Sequence, residues 1–203
     1  MVAKSFWIIV LTILLQKPIP TVLIFGDSLT AGYGLSPEEA FPAWVEKNLR
    51  DKNLPVRMIN AGLSGETSAG GLERLNWILR QPIDVFVLEL GGNDGLRGLP
   101  LAQTKKNLQA IIDLVRKKFP KAKIVIAGML VPPNLGQTYT TEFKSLYPEL
   151  ARRNNAILIP FLLEGVAGDE KLNQPDGIHP NAEGHKIVGQ TVTRYLEPLV
   201  RQR

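Results

Sequence analysis

The chain has 203 residues, 44% hydrophobic and 21% charged, and its 24 basic and 19 acidic side chains leave a net charge of +5. That balance excludes a disordered chain and a polytopic membrane protein, and the length suits one domain with a sizeable core. There is no cysteine and there are two histidines, His179 and His185; disulfides, thiolate nucleophiles, thiolate zinc sites and three-histidine metal centres are therefore excluded, and imidazole chemistry must use one of two side chains.

Residues 1–20 read as an apolar leader ahead of a single domain over 21–203. Lys4 supplies a positive charge, and residues 6–15 are apolar apart from Thr12. The run is shorter than the about 20 residues of a membrane span and falls within the roughly 7–15 of a signal-peptide core. Export, to the periplasm or out of the cell, is the expectation. Because Gln16-Lys17-Pro18-Ile19-Pro20 offers no small-x-small cleavage site, the alternative is a retained helix. It would rest on the domain, on a membrane surface or on a second copy of the chain, leaving the protein membrane-associated or cytoplasmic.

From Pro20 onward, short apolar runs alternate with longer amphipathic ones. Residues 22–25, 56–59, 85–90, 124–127 and 157–159 are rich in branched side chains and bounded by turn residues, which predicts strands mostly buried on both faces. Between and after them, 37–52, 68–81, 101–119, 140–154 and 181–200 read as helices. Pro37 with Glu38 and Glu39, and Asn181 with Glu183, mark helix starts. The basic run over 116–123 reads as a helix C-terminus favoured by the dipole, not as a nucleic-acid patch. Five strands alternating with helices predict an α/β fold, a five-stranded parallel sheet covered on both faces. In such sheets ligands bind beyond the carboxyl ends of the strands.

Four loops after those ends carry chemistry: Gly26-Asp27-Ser28-Leu29-Thr30, Asn60-Ala61-Gly62-Leu63-Ser64-Gly65-Glu66-Thr67, Gly91-Gly92-Asn93-Asp94 and Asp176-Gly177-Ile178-His179-Pro180. In a tight turn a carboxylate at Asp176 can reach the imidazole of His179, fix its tautomer and leave the other nitrogen as a general base. Ser28 is a hydroxyl nucleophile in need of such a base. The Asn93 amide, with backbone N–H groups at Gly65 and Ser28, can serve an oxyanion. Each loop also has a plainer reading: Asp27 or Ser28 as a helix cap, Asp176 and His179 as a cap or surface ion pair, and Gly91-Gly92-Asn93 as a positive-φ turn. Their coincidence at one end of one sheet favours acyl transfer. Thr30 stands where a G-x-S-x-G elbow needs glycine, and neither G-x-G-x-x-G nor a P-loop is present, which disfavours the α/β-hydrolase fold and nucleotide binding.

On these motifs the chain resembles the GDSL, or SGNH, hydrolase family, and within it the bacterial thioesterase I and arylesterase (lysophospholipase-like) group. The resemblance spans about residues 22–199. It implies a flavodoxin-like three-layer α/β/α sandwich and hydrolysis of carboxylic esters, aryl or short to medium acyl, and of acyl-CoA thioesters or lysophospholipids. It further implies no metal or other cofactor, a small-molecule acyl substrate and no nucleic-acid partner. By the same resemblance Ser28 is the nucleophile, His179 the base, Asp176 its carboxylate, and Ser28, Gly65 and Asn93 the oxyanion hole. The rival readings are a carbohydrate O-acetylesterase or acyltransferase on the same triad, and a non-catalytic binding module.

The remaining side chains receive structural expectations. His185, a turn into the last helix without a carboxylate three residues before it, reads as a packing or surface histidine. Asp27 and Asp94 read as loop supports bonded to nearby backbone. Residues 131–139 are a wall for an acyl chain or simply a long loop. Trp44 and Trp77 fall at core spacings. Residues 1–15 are the candidate surface for self-association or membrane contact.

Overall fold

The computed structural model describes residues 18–202, so the apolar run over 6–15, and the expectations attached to it, lie outside the described residues. The elements run β1 (Thr21–Gly26), α1 (Ser28–Ala31), α2 (Phe41–Asp51), β2 (Arg57–Gly62), α3 (Ser68–Ile78), β3 (Val85–Glu89), α4 (Gly92–Leu96), α5 (Leu101–Lys118), β4 (Lys123–Ala127), α6 (Gln137–Arg153), β5 (Ile157–Ile159) and α7 (Ala182–Arg201). A single 3-10 turn, Pro133–Leu135, precedes α6.

All five strands are parallel, in the order β2-β1-β3-β4-β5. Helices α2 and α7 pack together, while α3, α5 and α6 form the opposing layer, giving the flavodoxin-like sandwich. Strands β1 and β3 are buried along their whole length, as expected for runs covered on both faces. The chain winds from β1 outward to β2 and then returns to the other side of β1 to make β3. At that reversal the connections leave in opposite directions and open a crevice. The loops carrying Ser28 and Asn93 flank it.

Several boundaries differ from the sequence expectation for identifiable reasons. Strand β2 is an edge strand, half-exposed, and runs on to Gly62, which pairs with Gly26. Helix α2 begins at Phe41, not at Pro37. The Glu39 carboxylate accepts from the Ser36 N–H and hydroxyl at 3.1 and 3.0 Å, closing a separate turn, and Ala40 is extended (φ −64°, ψ 145°). Pro42 then occupies the first turn, where its missing N–H costs nothing. Two of the chemistry-bearing loops contain short helices, α1 and α4. Trp77 is not a core residue: it is 70% exposed, with the Arg80 guanidinium 4.3 Å from its ring centroid. Trp44 is half-buried.

His185 is buried, and its Nδ1 accepts from the Phe41 N–H at 3.1 Å. It thus satisfies one of the free donors at the start of α2 and joins α7 to α2, the packing role its position suggested. Burial, then the nearby charge of His179, lowers its pKa from 6.5 to about 4. Protonation would remove the acceptor lone pair, so the folded state resists it. The unfolded chain binds the extra proton between pH 6.5 and 4, so stability present above 6.5 is lost as pH falls through that window, by about 2–3 kcal/mol. In urea unfolding, wild type should lose that much more stability than His185→Gln between pH 6.5 and 4; parallel losses would remove the coupling.

Candidate active site

The first strand ends against a close approach that only glycine permits. A Cβ on Gly26 would lie 2.1 Å from Thr30 Oγ1 and 2.2 Å from Glu89 Oε2. Asp27 then caps α1, its Oδ1 accepting from the Leu29 N–H at 3.0 Å, and Ser28 becomes the first helical residue. Its hydroxyl is thereby presented at the carboxyl end of the sheet. The plainer reading holds for Asp27, which is the helix cap, and not for Ser28.

The partner loop comes from the far end of the chain. Residues 160–181 contain no helix or strand, but they are tied internally. Asn173 Nδ2 donates to the Val166 and Asp169 carbonyls at 2.7 and 2.8 Å, and the Gln174 N–H donates to the His179 carbonyl at 2.7 Å. Gln174 Nε2 then donates to the Tyr33 carbonyl at 2.6 Å, docking the loop beside α1. Within it Asp176 Oδ1 accepts from the N–H groups of Ile178 and His179, both at 3.0 Å. The Tyr33 ring lies against His179, with centroids 4.6 Å apart.

His179 Nδ1 is 2.7 Å from Asp176 Oδ2, and its Nε2 is 3.0 Å from Ser28 Oγ. The backbone N–H of His179, then that of Ile178, holds the Asp176 carboxyl down to a pKa of about 2. An ionised carboxylate only accepts, so Nδ1 carries the proton and Nε2 of the neutral ring is left to accept from the Ser28 hydroxyl. The tautomer needed to take a proton from Oγ follows from this geometry.

Gly65 lies opposite, at φ +78°, and Arg97 Nη2 donates to its carbonyl at 2.8 Å. Arg97 follows α4, which carries Asn93, so one side chain joins the Gly65 loop to that helix. Asn93 Nδ2 donates to Asp27 Oδ2 at 3.1 Å. Asp94 was expected to bond to backbone of its own loop, but its carboxylate partners lie in other helices. It accepts from the Ser68 N–H at 2.8 Å, the Ser68 hydroxyl at 2.5 Å and the Thr104 hydroxyl at 3.1 Å, fastening α4 to α3 and α5. Ser28, Gly65, Asn93 and His179 all line one cavity of about 670 Å³. Its other end is apolar, walled by Met129, Leu130, Val131, Pro132, Phe161 and Leu163. The expected wall is therefore present at Val131 to Pro133, but not at Tyr139, whose hydroxyl instead donates to the Leu99 carbonyl at 2.9 Å. Among the described residues, no group of three or more His, Asp or Glu side chains is placed to hold a metal ion.

Three functional features were not anticipated. Glu89 is a carboxyl with no exposed surface, accepting from the Asp27 N–H and the Thr30 hydroxyl. Its only sequence signal is a charged residue closing an apolar strand. Arg74 ties the ends of β1 and β2 through the Gly26 and Ala61 carbonyls at 3.3 and 2.8 Å and pairs with buried Glu66. The apolar residues after β4 and β5, Met129, Phe161 and Leu163, show no pattern beyond their composition.

A hydroxyl hydrogen-bonded to an oriented imidazole, beside an apolar cavity, is a design for hydrolysis through an acylated serine. The match to known proteins is in accord. Residues 24–187 match the model of the GDSL-like Lipase/Acylhydrolase family. Esterase TesA of Pseudomonas aeruginosa is 39% identical over 186 residues, 91% of this chain and 92% of that protein. Thioesterase 1/protease 1/lysophospholipase L1 of Escherichia coli strain K12 is 39% identical over 181 residues, 89% of this chain and 85% of that one. Among solved structures, AlinE4, an SGNH-hydrolase family esterase, superposes with a TM-score of 0.75 at 42% identity, covering 91% of this chain and 98% of its own. The chain belongs to the GDSL-like lipase/acylhydrolase family and is a serine ester hydrolase.

The Arg74–Glu66 pair generates a stability prediction. Glu66 has a side-chain exposure of 3%, so Arg74→Leu strands a buried carboxylate, at a cost of about 3 kcal/mol. The melting temperature should fall by roughly 6–12 °C for a domain of this size. Arg74→Leu/Glu66→Leu should recover part of that loss in differential scanning calorimetry.

Proposed function

We propose that Ser28, His179 and Asp176 form the catalytic triad of this esterase, with the Ser28 and Gly65 N–H groups and the Asn93 amide as oxyanion donors. The carrying observation is the unbroken line from Ser28 Oγ through the His179 ring to Asp176, 3.0 and 2.7 Å long. His179 Nε2 takes the Ser28 proton as Oγ bonds to the acyl carbon, and the carbonyl electrons move onto oxygen. First-turn N–H groups have no partner within their own helix, so the Ser28 N–H is available to that oxygen. When the tetrahedral centre collapses, the bond to the leaving alcohol or thiol breaks and His179 Nε2–H protonates it. Water, deprotonated by the same nitrogen, then attacks the acyl carbon; the second tetrahedral centre collapses, the bond to Ser28 Oγ breaks, His179 returns the proton to that oxygen, and the acid leaves. Asp176 stabilises the imidazolium formed in each half.

The substrate class is small carboxylic esters, aryl or of short to medium acyl length, with acyl-CoA thioesters or lysophospholipids as further acyl donors. The apolar wall supports this reading because its side chains offer an acyl tail burial worth about 0.8 kcal/mol per methylene. They offer a sugar hydroxyl no partner, which weighs against a carbohydrate O-acetylesterase. The leader over 6–15 supports export to the periplasm or beyond, and cell fractionation with N-terminal sequencing of the recovered protein tests it.

Ser28→Ala should fold normally and lose p-nitrophenyl ester turnover by about 10⁴-fold or more, together with labelling by a fluorophosphonate. His179→Ala should do the same and His185→Ala should not; equal losses from the two histidines would overturn the assignment. Across p-nitrophenyl acetate to palmitate, kcat/KM should rise from acetate to a medium chain. A preference for acetylated sugars would establish the rival instead.

A further inference from the structure

Among the residues lining the cavity is a carboxyl for which the proposed chemistry has no use. Asp27 is 2% exposed. Its two oxygens serve two different donors: Oδ1 takes the Leu29 N–H at 3.0 Å, and Oδ2 takes Asn93 Nδ2 at 3.1 Å. Its own N–H donates at 3.1 Å to Glu89 Oε2, which also accepts from the Thr30 hydroxyl at 2.7 Å. Glu89 is wholly buried, and its Oε1 has no hydrogen-bond partner.

The torsion that sets a terminal amide plane is soft, and an amide nitrogen carries two protons. An oxyanion donor on such a group is useful only if the plane is fixed beforehand, because catalytic hydrogen bonds gain from needing no reorganisation at the moment of reaction. We propose that Asp27 is the positioning residue of the oxyanion hole: by claiming one Nδ2 proton of Asn93 it aims the other into the cavity, while Glu89 holds Asp27 in place from below. The inference rests on the reading of Asn93 as an oxyanion donor.

The requirement for aspartate follows from counting acceptors. Two donors must be met by two acceptor oxygens of one short side chain; asparagine has one, and serine could cap Leu29 but would release Asn93. Charge alone argues against an anion here, since a carboxylate beside a developing oxyanion opposes it. The residue is therefore placed for its geometry. Burial lifts the Asp27 pKa from 3.8 to about 6, so at neutral pH the group is still mostly ionised and its placement has to be accounted for by the two hydrogen bonds. Burial, then the Asp27 charge, raises the Glu89 pKa well above its usual value.

The test is a double-mutant cycle on the full chain with a p-nitrophenyl ester. Asp27→Asn, matched in volume, should lower kcat at least about tenfold with KM within about twofold, because a donor used in the transition state has been loosened. Asn93→Ala should lower kcat about 10²–10³-fold. Asp27→Asn added to Asn93→Ala should cost no more than about twofold further, since its target is gone. Wild-type kcat in Asp27→Asn, a loss confined to KM, or losses that multiply would overturn the proposal. Wild-type kcat in Asn93→Ala would instead remove the oxyanion reading, and this proposal with it. Should Asp27→Asn fail to fold, the wild-type protein still decides. Its Asn93 side-chain amide should show one of its two proton resonances strongly protected from solvent exchange, and two protons that both exchange as fast as those of a free asparagine amide would overturn the proposal.

Discussion

The turn that presents Ser28 is built on a buried carboxyl at the end of the central strand β3. Glu89 Oε2 holds the turn at two points, the Asp27 N–H and the Thr30 hydroxyl, and the absence of a side chain on Gly26 makes room for it. Burial raises the pKa of this carboxyl well above its usual value, which favours the neutral form and lowers the cost of holding it inside the protein. The height and direction of the Ser28 hydroxyl are therefore set by the sheet and not by the flexible chain that follows. Everything else in the site has to be brought to that fixed point.

Each of the other loops is brought there by a charged or amide side chain that reaches between elements. Arg74 fastens the end of β2 to the end of β1, Asp94 fastens α4 to α3 and α5, and Gln174 fastens the histidine loop to Tyr33. These are local ties between short segments, so the precision of the site does not require long regular elements near it. The loop over 160–181 illustrates the point, because its 174–180 turn is closed by its own backbone and side-chain bonds before it meets Ser28.

The legible parts of the sequence were those written in local pattern. Strands β1, β3 and β4 stand out because their residues 22–25, 85–88 and 124–127 are buried and apolar, and Asn181 marks the start of α7 because a cap acts within three residues, accepting from the Gly184 N–H. Ser28, Gly65, Asn93, Asp176 and His179 could be proposed because each stands in a short motif after a strand, and the structure places Ser28, Gly65, Asn93 and His179 on one cavity with Asp176 behind the ring. Glu89 and the tie that Arg74 makes to β1 could not be placed, because the groups they reach lie 62 residues away at Asp27 and 48 residues away at Gly26, and no spacing encodes such a contact. Pro37 misled for a related reason: the helix signal was genuine, but Glu39 satisfies Ser36 instead of continuing into α2.

The two ends of the cavity are made by different parts of the chain, and this separates the chemistry from the choice of acyl group. The polar end depends on β1, β3, α4 and the histidine loop, where a small shift would break the 3.0 Å contact between Ser28 and His179. The apolar end is supplied by the segments after β4 and β5, which are joined to each other through the Gly128 N–H on the Ile159 carbonyl and the Leu162 N–H on the Gly128 carbonyl, at 2.8 and 2.9 Å. Those bonds fix the backbone of the wall and leave its side chains free to vary. A larger or smaller residue at Leu130 or Leu163 alters the space for the tail without touching the hydrogen bonds of the triad. Val131 is less free, since its side chain packs toward Gly95 in α4, the helix that carries Asn93. With Met129, whose side chain packs toward Gly92 next to Asn93, it is where a change of acyl pocket would be felt at the oxyanion donor.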